Sequence, residues 1–340
     1  MGEKVCIVGA GSWGTAQAVL LSDKADEIAL WGRPQDGIEL MAATRENKRF
    51  LPGVKINANI NPTADMEAAA AGSDYIIIAV PAQTVREVLE IIKAYYIPGT
   101  LLVNTAKGLE ISTAKRLSQV MVDVLGSEIK PYLACLSGPS HAEEVGRGLL
   151  TAVTVSALQK DTAQKVQRLY MNGQFRVYTN PDLTGVELGG AVKNIVALCA
   201  GILEGLGYGD NIRAALITRG LHEISKLGAA LGAKPLTFVG LSGLGDLVAT
   251  CYSAFSRNRK AGELIGRGYS TDEALREVGM IVEGVYSCPV AYRLAMEMRV
   301  DMPIVRACYN ILEQKKTPQQ EIDALMKRDM RPEGELWGAE

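Results

Sequence analysis

Apolar and polar positions follow two different rhythms along this chain, and the change between them divides it. In the first half, short apolar runs at 4–8, 27–30, 75–80, 101–103, 132–136 and 152–155 read as strands. Between several of them apolar residues recur every three or four positions. One helix is predicted over 15–22, one over 82–95 through Val85, Val88, Leu89, Ile92 and Tyr95, and one over 112–125 through Leu117, Val120, Met121 and Val124. Strand and helix in repetition predict a parallel sheet covered on both faces. The run Tyr75-Ile76-Ile77-Ile78-Ala79-Val80 is apolar throughout, as a central parallel strand is, and Pro81 ends it. After Asn180-Pro181 the strand-like runs stop, and helical patterns follow at 186–203, 212–231, 272–277, 290–298 and 309–314. The residue before a proline is pushed out of the helical region, so this dipeptide is a credible boundary. The expected fold is therefore α/β: a mostly parallel sheet domain over 1–180, then an all-helical domain over 181–340. At 340 residues the chain is too long for one ordinary core, which agrees with two domains.

Lys193 interrupts the second rhythm. The stretch Glu187 to Cys199 is apolar on nearly every side of a helical wheel, so the helix is expected to be buried. A buried ammonium is costly unless paired, and its pKa falls. Lys193 is thus either a paired structural cation or a tuned acid/base.

The N-terminus supplies a context. Val5-Cys6-Ile7-Val8 runs straight into Gly9-Ala10-Gly11-Ser12-Trp13-Gly14. Gly9 permits a tight turn, Gly11 lets a pyrophosphate approach the backbone, and Gly14 lets the next helix pack close. The free N–H groups of that helix face the phosphates. A sharp strand-to-helix turn without ligand is the alternative, but a G-x-G-x-x-G directly after an apolar strand is the context that a Rossmann-like dinucleotide site requires. The second strand ends in Gly32-Arg33, where an NAD site usually places an acidic residue on the ribose 2′-hydroxyl. Asp36 stands three residues late. Arg33 can instead meet a 2′-phosphate or stack over adenine, which tilts the expectation towards NADP or a site that takes both; a solvated surface charge is the alternative. A buried lysine beside a nicotinamide site points to a dehydrogenase.

Other candidates follow strands or open helices. Lys107 lies just past the 101–103 run, where ligands of open α/β sheets bind, and its cation suits a phosphorylated or carboxylated substrate. In Leu136-Ser137-Gly138-Pro139-Ser140-His141, Gly138 can offer a backbone N–H and Ser140 a hydroxyl. His141 is set aside as a packing or rim residue, because Lys193 already fills the proton-transfer role. Asp246 and Thr250 are four apart at a helix start and share one face; Asp246 fits as partner of the buried ammonium, or as a helix cap, or both. Ser256-Arg257-Asn258 combines a hydroxyl, a guanidinium and an amide. Arg257 can grip a phosphate through two parallel hydrogen bonds, its alternative being a solvated loop arginine.

Composition removes several function classes. Hydrophobic residues make up 48% and charged residues 22%, as in soluble globular proteins. A net charge of -2 gives no reason to expect nucleic acid, and the basic cluster at 256–260 suits a small anion. The six cysteines show no C-x-x-C pair and there are only two histidines, so neither a disulfide framework nor a metal site is expected. No signal peptide or myristoylation motif fits the opening Met1-Gly2-Glu3-Lys4, and the longest apolar run, 195–203, is too short for a bilayer. A cytoplasmic protein with no membrane insertion is expected, with a charged, loosely held tail after Lys327.

Taken together, the motifs resemble the bacterial-type NAD(P)-dependent glycerol-3-phosphate dehydrogenases over nearly the whole chain. The resemblance is carried by Gly9 to Thr15, Phe50-Leu51-Pro52, Ala106 to Glu110, Ser137 to Ser140, Gly189 to Asn194, Ala215 to Gly220, Gly243 to Leu247, Ser256 to Arg259 and Val282-Glu283-Gly284. It implies a cytosolic, usually dimeric enzyme that interconverts dihydroxyacetone phosphate and sn-glycerol 3-phosphate with NAD or NADP and supplies phospholipid synthesis. It also implies that Ser12, Trp13, Arg33, Lys107, Ala142, Arg257, Ile281 and Glu283 bind cofactor. Lys107, Gly138, Ser140, Lys193, Asp246, Ser256, Arg257 and Asn258 would contact the phosphorylated triose, with Lys193 as proton acceptor. Ser140 replaces the threonine of many relatives and keeps the hydroxyl; Arg33-Pro34 departs from the pairs seen elsewhere. Two rivals are weighed: another lysine-dependent dehydrogenase of the β-hydroxyacid or ketopantoate type, and a non-catalytic NADP-binding redox sensor. Lys107 with Ser256-Arg257-Asn258 argues for a substrate phosphate against the first. The buried lysine and anion clamp argue against the second.

Overall fold

The period-two and period-3.6 segments assemble into an eight-stranded sheet followed by helices alone, in a computed structural model that describes residues 3–330 and 333. The strands are β1 (Glu3–Val8), β2 (Ala25–Trp31), β3 (Ile60–Thr63), β4 (Tyr75–Ile78), β5 (Leu101–Asn104), β6 (Leu133–Ser137), β7 (Thr151–Ala157) and β8 (Phe175–Asn180). Their order is β3-β2-β1-β4-β5-β6-β7-β8, and every neighbour pair is parallel except β6 with β7. The fold is a Rossmann-like sheet with a helical C-terminal region.

Strand residues alternate between two apolar layers. Ile7, Ile28, Leu30, Ile77 and Val103 enter one core, while Cys6, Val8, Ala29, Ile76, Ile78 and Leu102 enter the other. Register aligns the carboxyl ends: Val8 stands opposite Trp31 and Ile78, and Ile78 opposite Asn104. Strand order reverses between β1 and β4, so the crevice outside their carboxyl ends is where a ligand of such a sheet binds.

Several expected bounds shift for physical reasons. The 82–95 helix is a 3-10 turn, Ala82–Thr84, and then a helix over Val85–Ile92. The 112–125 helix begins only at Leu117, where Gln119 Oε1 accepts from the Arg116 backbone N–H at 3.0 Å and closes the first turn. Strands β3 and β8 lie at the two sheet edges and had no counterpart in the apolar runs. The first contains Pro62, and the second alternates buried Phe175 and Val177 with exposed Arg176 and Tyr178. The helices Lys160–Tyr170 and Pro303–Leu312 were likewise unforeseen or foreshortened. Of the tail, Arg328 is tied to Asp301 at 2.7 Å. Residues 331, 332 and 334–340, like Met1 and Gly2, lie outside the described residues.

The centre of the helical region is the Leu183–Gly205 helix, of 23 residues. By length and composition it could cross a membrane, so the run at 195–203 understated it. Yet 94% of that apolar window is buried within the protein. Its start is capped by Asp182, which accepts from Gly185 N at 2.9 Å and also from Lys234 N and Thr237 Oγ1. Glu187 reaches back to the sheet region, accepting from Ser118 N at 2.8 Å, from Ser118 Oγ and from Arg116.

The Arg257–Gly266 helix packs against this central helix through four glycines. A methyl group on Gly201 would lie 2.0 Å from Arg259 O, and one on Gly205 2.2 Å from Glu263 O. The reciprocal additions at Gly262 and Gly266 would meet Leu198 O at 2.0 Å and Ile202 O at 2.3 Å. Only glycine allows two helix backbones this close. The matched spacing runs the helices in the same direction and fixes their register.

Candidate active site

Lys193 projects from the central helix with only 5% of its surface exposed. Its ammonium donates to Asp246 Oδ1 at 2.6 Å and to Thr250 Oγ1 at 2.5 Å. Asp246 and Thr250 share a face of the Asp246–Tyr252 helix, as their spacing predicts. Asp246 does not cap that helix; both of its oxygens go to lysines. Lys107, from the loop after β5, donates to Asp246 Oδ2 at 2.8 Å and to the Gly138 carbonyl at 2.9 Å. One buried carboxylate therefore joins a cation from the sheet region to a cation from the helical region.

The electrostatics follow from that sharing. Burial pulls the Lys193 pKa down to about 8, with Asp246 restraining the fall and Lys107 adding to it. Burial pushes the Asp246 carboxyl up, but the two ammonium groups outweigh it and hold it below its ordinary value. Each ammonium has three N–H groups and spends two on the protein, leaving one to donate elsewhere.

The anion-binding candidates stand next to this cluster. Glycine register brings Asn258 against the central helix, where Asn258 Nδ2 donates to Asn194 Oδ1 at 3.0 Å and Asn258 Oδ1 accepts from Gly284 N at 2.8 Å. Ser256 caps its helix by accepting from Arg259 N at 3.2 Å, which leaves its own O–H to donate. Arg257, the first residue of that helix, makes no hydrogen bond or ion pair among the described residues. Desolvation lowers its pKa, opposed by Glu283 and Glu143. Gly138 sits at φ +145°, and a side chain there would meet the Val153 backbone at 2.9 Å. Its carbonyl, rather than the expected N–H, faces the cluster, and Ser140 Oγ donates to that same oxygen at 3.0 Å.

The residues expected to hold a dinucleotide fit one. Gly9 has φ +121° and its N–H donates to Trp31 O at 2.9 Å. A methyl on Gly9 would strike Ala79 O at 2.7 Å, and one on Gly14 would strike Gly9 O at 1.8 Å. Above Gly11 the space is open. The Ser12–Leu21 helix begins there with no side-chain cap, so its first N–H groups are free for phosphate. Trp13 packs half-buried on the sheet core, and Ala142 is buried at the start of a short helix. Glu283 crosses from the helical region to accept from Ala82 N at 3.0 Å, while its other oxygen is buried without a partner. That orphaned acceptor suits an amide N–H donor. Ile281, two residues earlier, is exposed.

Arg33, expected to meet a 2′-phosphate or stack over adenine, forms a two-pronged ion pair with Asp36, Nε to Oδ2 at 2.8 Å and Nη2 to Oδ1 at 3.1 Å. It stands at the β1/β2 end, apart from the lysine cluster. His141 was set aside, yet its ring is within electrostatic reach of Lys193, Lys107 and Asp246; burial and the two ammonium groups lower its pKa, so it is neutral at pH 7. Asn194 carried a signal that went unread: an amide next to the lysine in an otherwise apolar helix. Among the described residues no group of His, Cys, Asp and Glu is placed to hold a metal, and the six cysteines are free and buried.

Comparison with known proteins agrees with this geometry. A family model described as NAD-dependent glycerol-3-phosphate dehydrogenase N-terminus matches residues 4–163, and its C-terminus counterpart matches 182–323. The chain is 55% identical over 330 residues to a glycerol-3-phosphate dehydrogenase [NAD(P)+] of Syntrophomonas wolfei, covering 97% of this chain and 96% of that one. It is 51% identical to the Moorella thermoacetica enzyme of the same name, covering 96% and 97%. The crystal structure of glycerol-3-phosphate dehydrogenase from Coxiella burnetii superimposes with a TM-score of 0.91 at 37% identity, covering 96% of this chain and 99% of that one. With the glycine turn, the shared aspartate and both lysines in place, the chain belongs to the NAD-dependent glycerol-3-phosphate dehydrogenase family.

Proposed function

We propose that this oxidoreductase interconverts dihydroxyacetone phosphate and sn-glycerol 3-phosphate, with Lys193 as the proton donor and acceptor. The observation that carries the role of Lys193 is its ammonium, 5% exposed, tuned to about 8 and left with one N–H to donate. The bound NAD(P)H supplies the hydride that reduces substrate C2, and NAD(P)+ receives it in the reverse direction. In reduction Lys193 gives its proton to the oxygen developing on C2; in oxidation the neutral amine removes it. A pKa near the working pH serves both directions. Asp246 keeps the ammonium from losing its proton too readily and holds it in place. Lys107 adds positive charge beside the developing alkoxide. Arg257, with Ser256 and Asn258, holds the substrate phosphate, while the Gly138 loop positions Lys107 and leaves Ser140 Oγ, whose hydrogen goes to Gly138 O, to accept from a substrate hydroxyl. Gly9, Gly11, Ser12, Trp13, Gly14 and Arg33 hold the dinucleotide, with Lys107, Ala142, Arg257, Ile281 and Glu283 at its other end.

This reading assigns cofactor binding to 1–180 and substrate binding to 181–340, supported by the end of the strands at Asn180 and the separate family models. The resemblance also supports a cytoplasmic homodimer whose product feeds phospholipid synthesis. The decisive experiment is oxidation of NADH and NADPH, followed at 25 °C with dihydroxyacetone phosphate, with ketopantoate and a β-keto acid as controls. Turnover with the triose phosphate alone is expected; turnover only with a control would overturn the assignment.

A further inference from the structure

The Arg33–Asp36 pair occupies the place where a Rossmann-like site reads the adenosine ribose. Arg33 follows β2, whose last residue, Trp31, is bonded through its carbonyl to Gly9 N. A methyl on Gly32 would strike Ala10 Cβ at 2.7 Å, so the turn abuts the phosphate-binding loop directly. The turn is short and firmly held. Pro34–Asp36 form a single 3-10 turn, Gly37 closes it at φ +81° with its N–H on Pro34 O, and Arg49 donates to Gln35 O at 2.9 Å. The Asp36 backbone is thus held beside the guanidinium that its side chain faces.

We propose that Asp36 is a specificity-determining residue, clamping Arg33 so that the site favours the unphosphorylated ribose of NAD(H) over the 2′-phosphate of NADP(H). The proposal rests on the dinucleotide reading of the site given above. A guanidinium recognises phosphate through a planar edge of parallel N–H groups. In Arg33 the Nε/Nη2 edge is filled by the two oxygens of Asp36. A 2′-phosphate arriving at that edge must displace the carboxylate, and at the remaining Nη1/Nη2 edge it sits beside the Asp36 charge. Glu87, on the Val85–Ile92 helix, also faces Arg33 and adds to the negative field. A 2′-hydroxyl meets no such conflict: it can donate to Asp36 and accept from Arg33. The acidic residue that the sequence lacked at the end of β2 is therefore delivered three residues later by the turn.

The test is calorimetric binding of NAD+ and NADP+ to the intact protein and to Asp36→Asn, Arg33→Ala and the double variant, with thermal melting as a fold control. The unaltered chain should bind NAD+ more tightly. D36N should move the NADP+/NAD+ affinity ratio towards NADP+ by about tenfold or more, the scale of a freed bidentate charge-assisted contact. The double variant should lose that gain, because the freed arginine is its source. An unchanged ratio in D36N overturns the proposal, as does a gain that survives without Arg33 or an unaltered chain that prefers NADP+. Turnover of dihydroxyacetone phosphate by the unaltered chain separates the two levels. If it persists while the ratio stays fixed, only the role of Asp36 falls; if neither dinucleotide binds, the reading of the whole site falls with it.

Discussion

Two ion clusters line the carboxyl edge of the sheet, and they are built in opposite ways. At the lysine end, Asp246 is 2% exposed and is shared between Lys107 and Lys193. At the ribose end, Arg33 keeps 56% of its side chain in solvent and pairs with one partner. Burial tunes the first cluster: removing water strengthens each interaction and shifts the Lys193 pKa. Exposure makes the second exchangeable. A surface pair adds little to the stability of the fold, so what it does is set by which ligands its charges admit. On the proposed reading the same residue types serve proton transfer in one place and selection in the other, and solvent decides which.

That contrast can be broken from its strong end first. Lys193→Ala should lower kcat by on the order of 10²–10⁴ in both directions, the usual loss for a general acid–base group. Retained turnover would remove the lysine from the chemistry. Asp246→Asn leaves two ammonium groups without their shared counterion, and should cost about 3–5 kcal/mol in denaturant unfolding. A loss under 1 kcal/mol would mean that the cluster is not held as a buried network. Next comes pH. Because the folded Lys193 pKa is depressed to about 8, reduction of dihydroxyacetone phosphate should fall as pH rises through 8, while oxidation of glycerol 3-phosphate should rise there. Profiles with no limb near that pH would reassign the group. The smallest effect belongs to the exposed end: Arg33→Ala should change stability by at most about 1 kcal/mol, read by chemical denaturation. A larger loss would place Arg33 among the structural pairs and undo the contrast.

Sequence patterning reached the buried end better than the exposed one. A lone cation in an apolar helix and an acid on a helix face are local signals, and they met in space because both were costly to leave alone. Lys107 joined them through a strand register that no local pattern displays. Asp36 was visible but judged by its distance along the chain, whereas the Pro34–Asp36 turn sets its distance in space. Strands β3 and β8 escaped for a related reason. An edge strand needs only one apolar face and tolerates Pro62, so it carries half the signal of a central strand such as β4. The antiparallel turn of β7 against β6 is a property of pairing, which apolar runs do not encode. Nothing local to His141 marks its nearness to the lysines; the loop after β6, held by the positive φ of Gly138, brings it there.

The four-glycine seam between the Leu183–Gly205 and Arg257–Gly266 helices has a mechanical consequence. With backbone resting on backbone, neither helix can slide along the other without collision. Lys193 and Arg257 ride on these two rods, so the span between the two cations behaves as a ruler of fixed length. On the proposed reading a substrate is gauged against that ruler, and any motion of one mark carries the other with it.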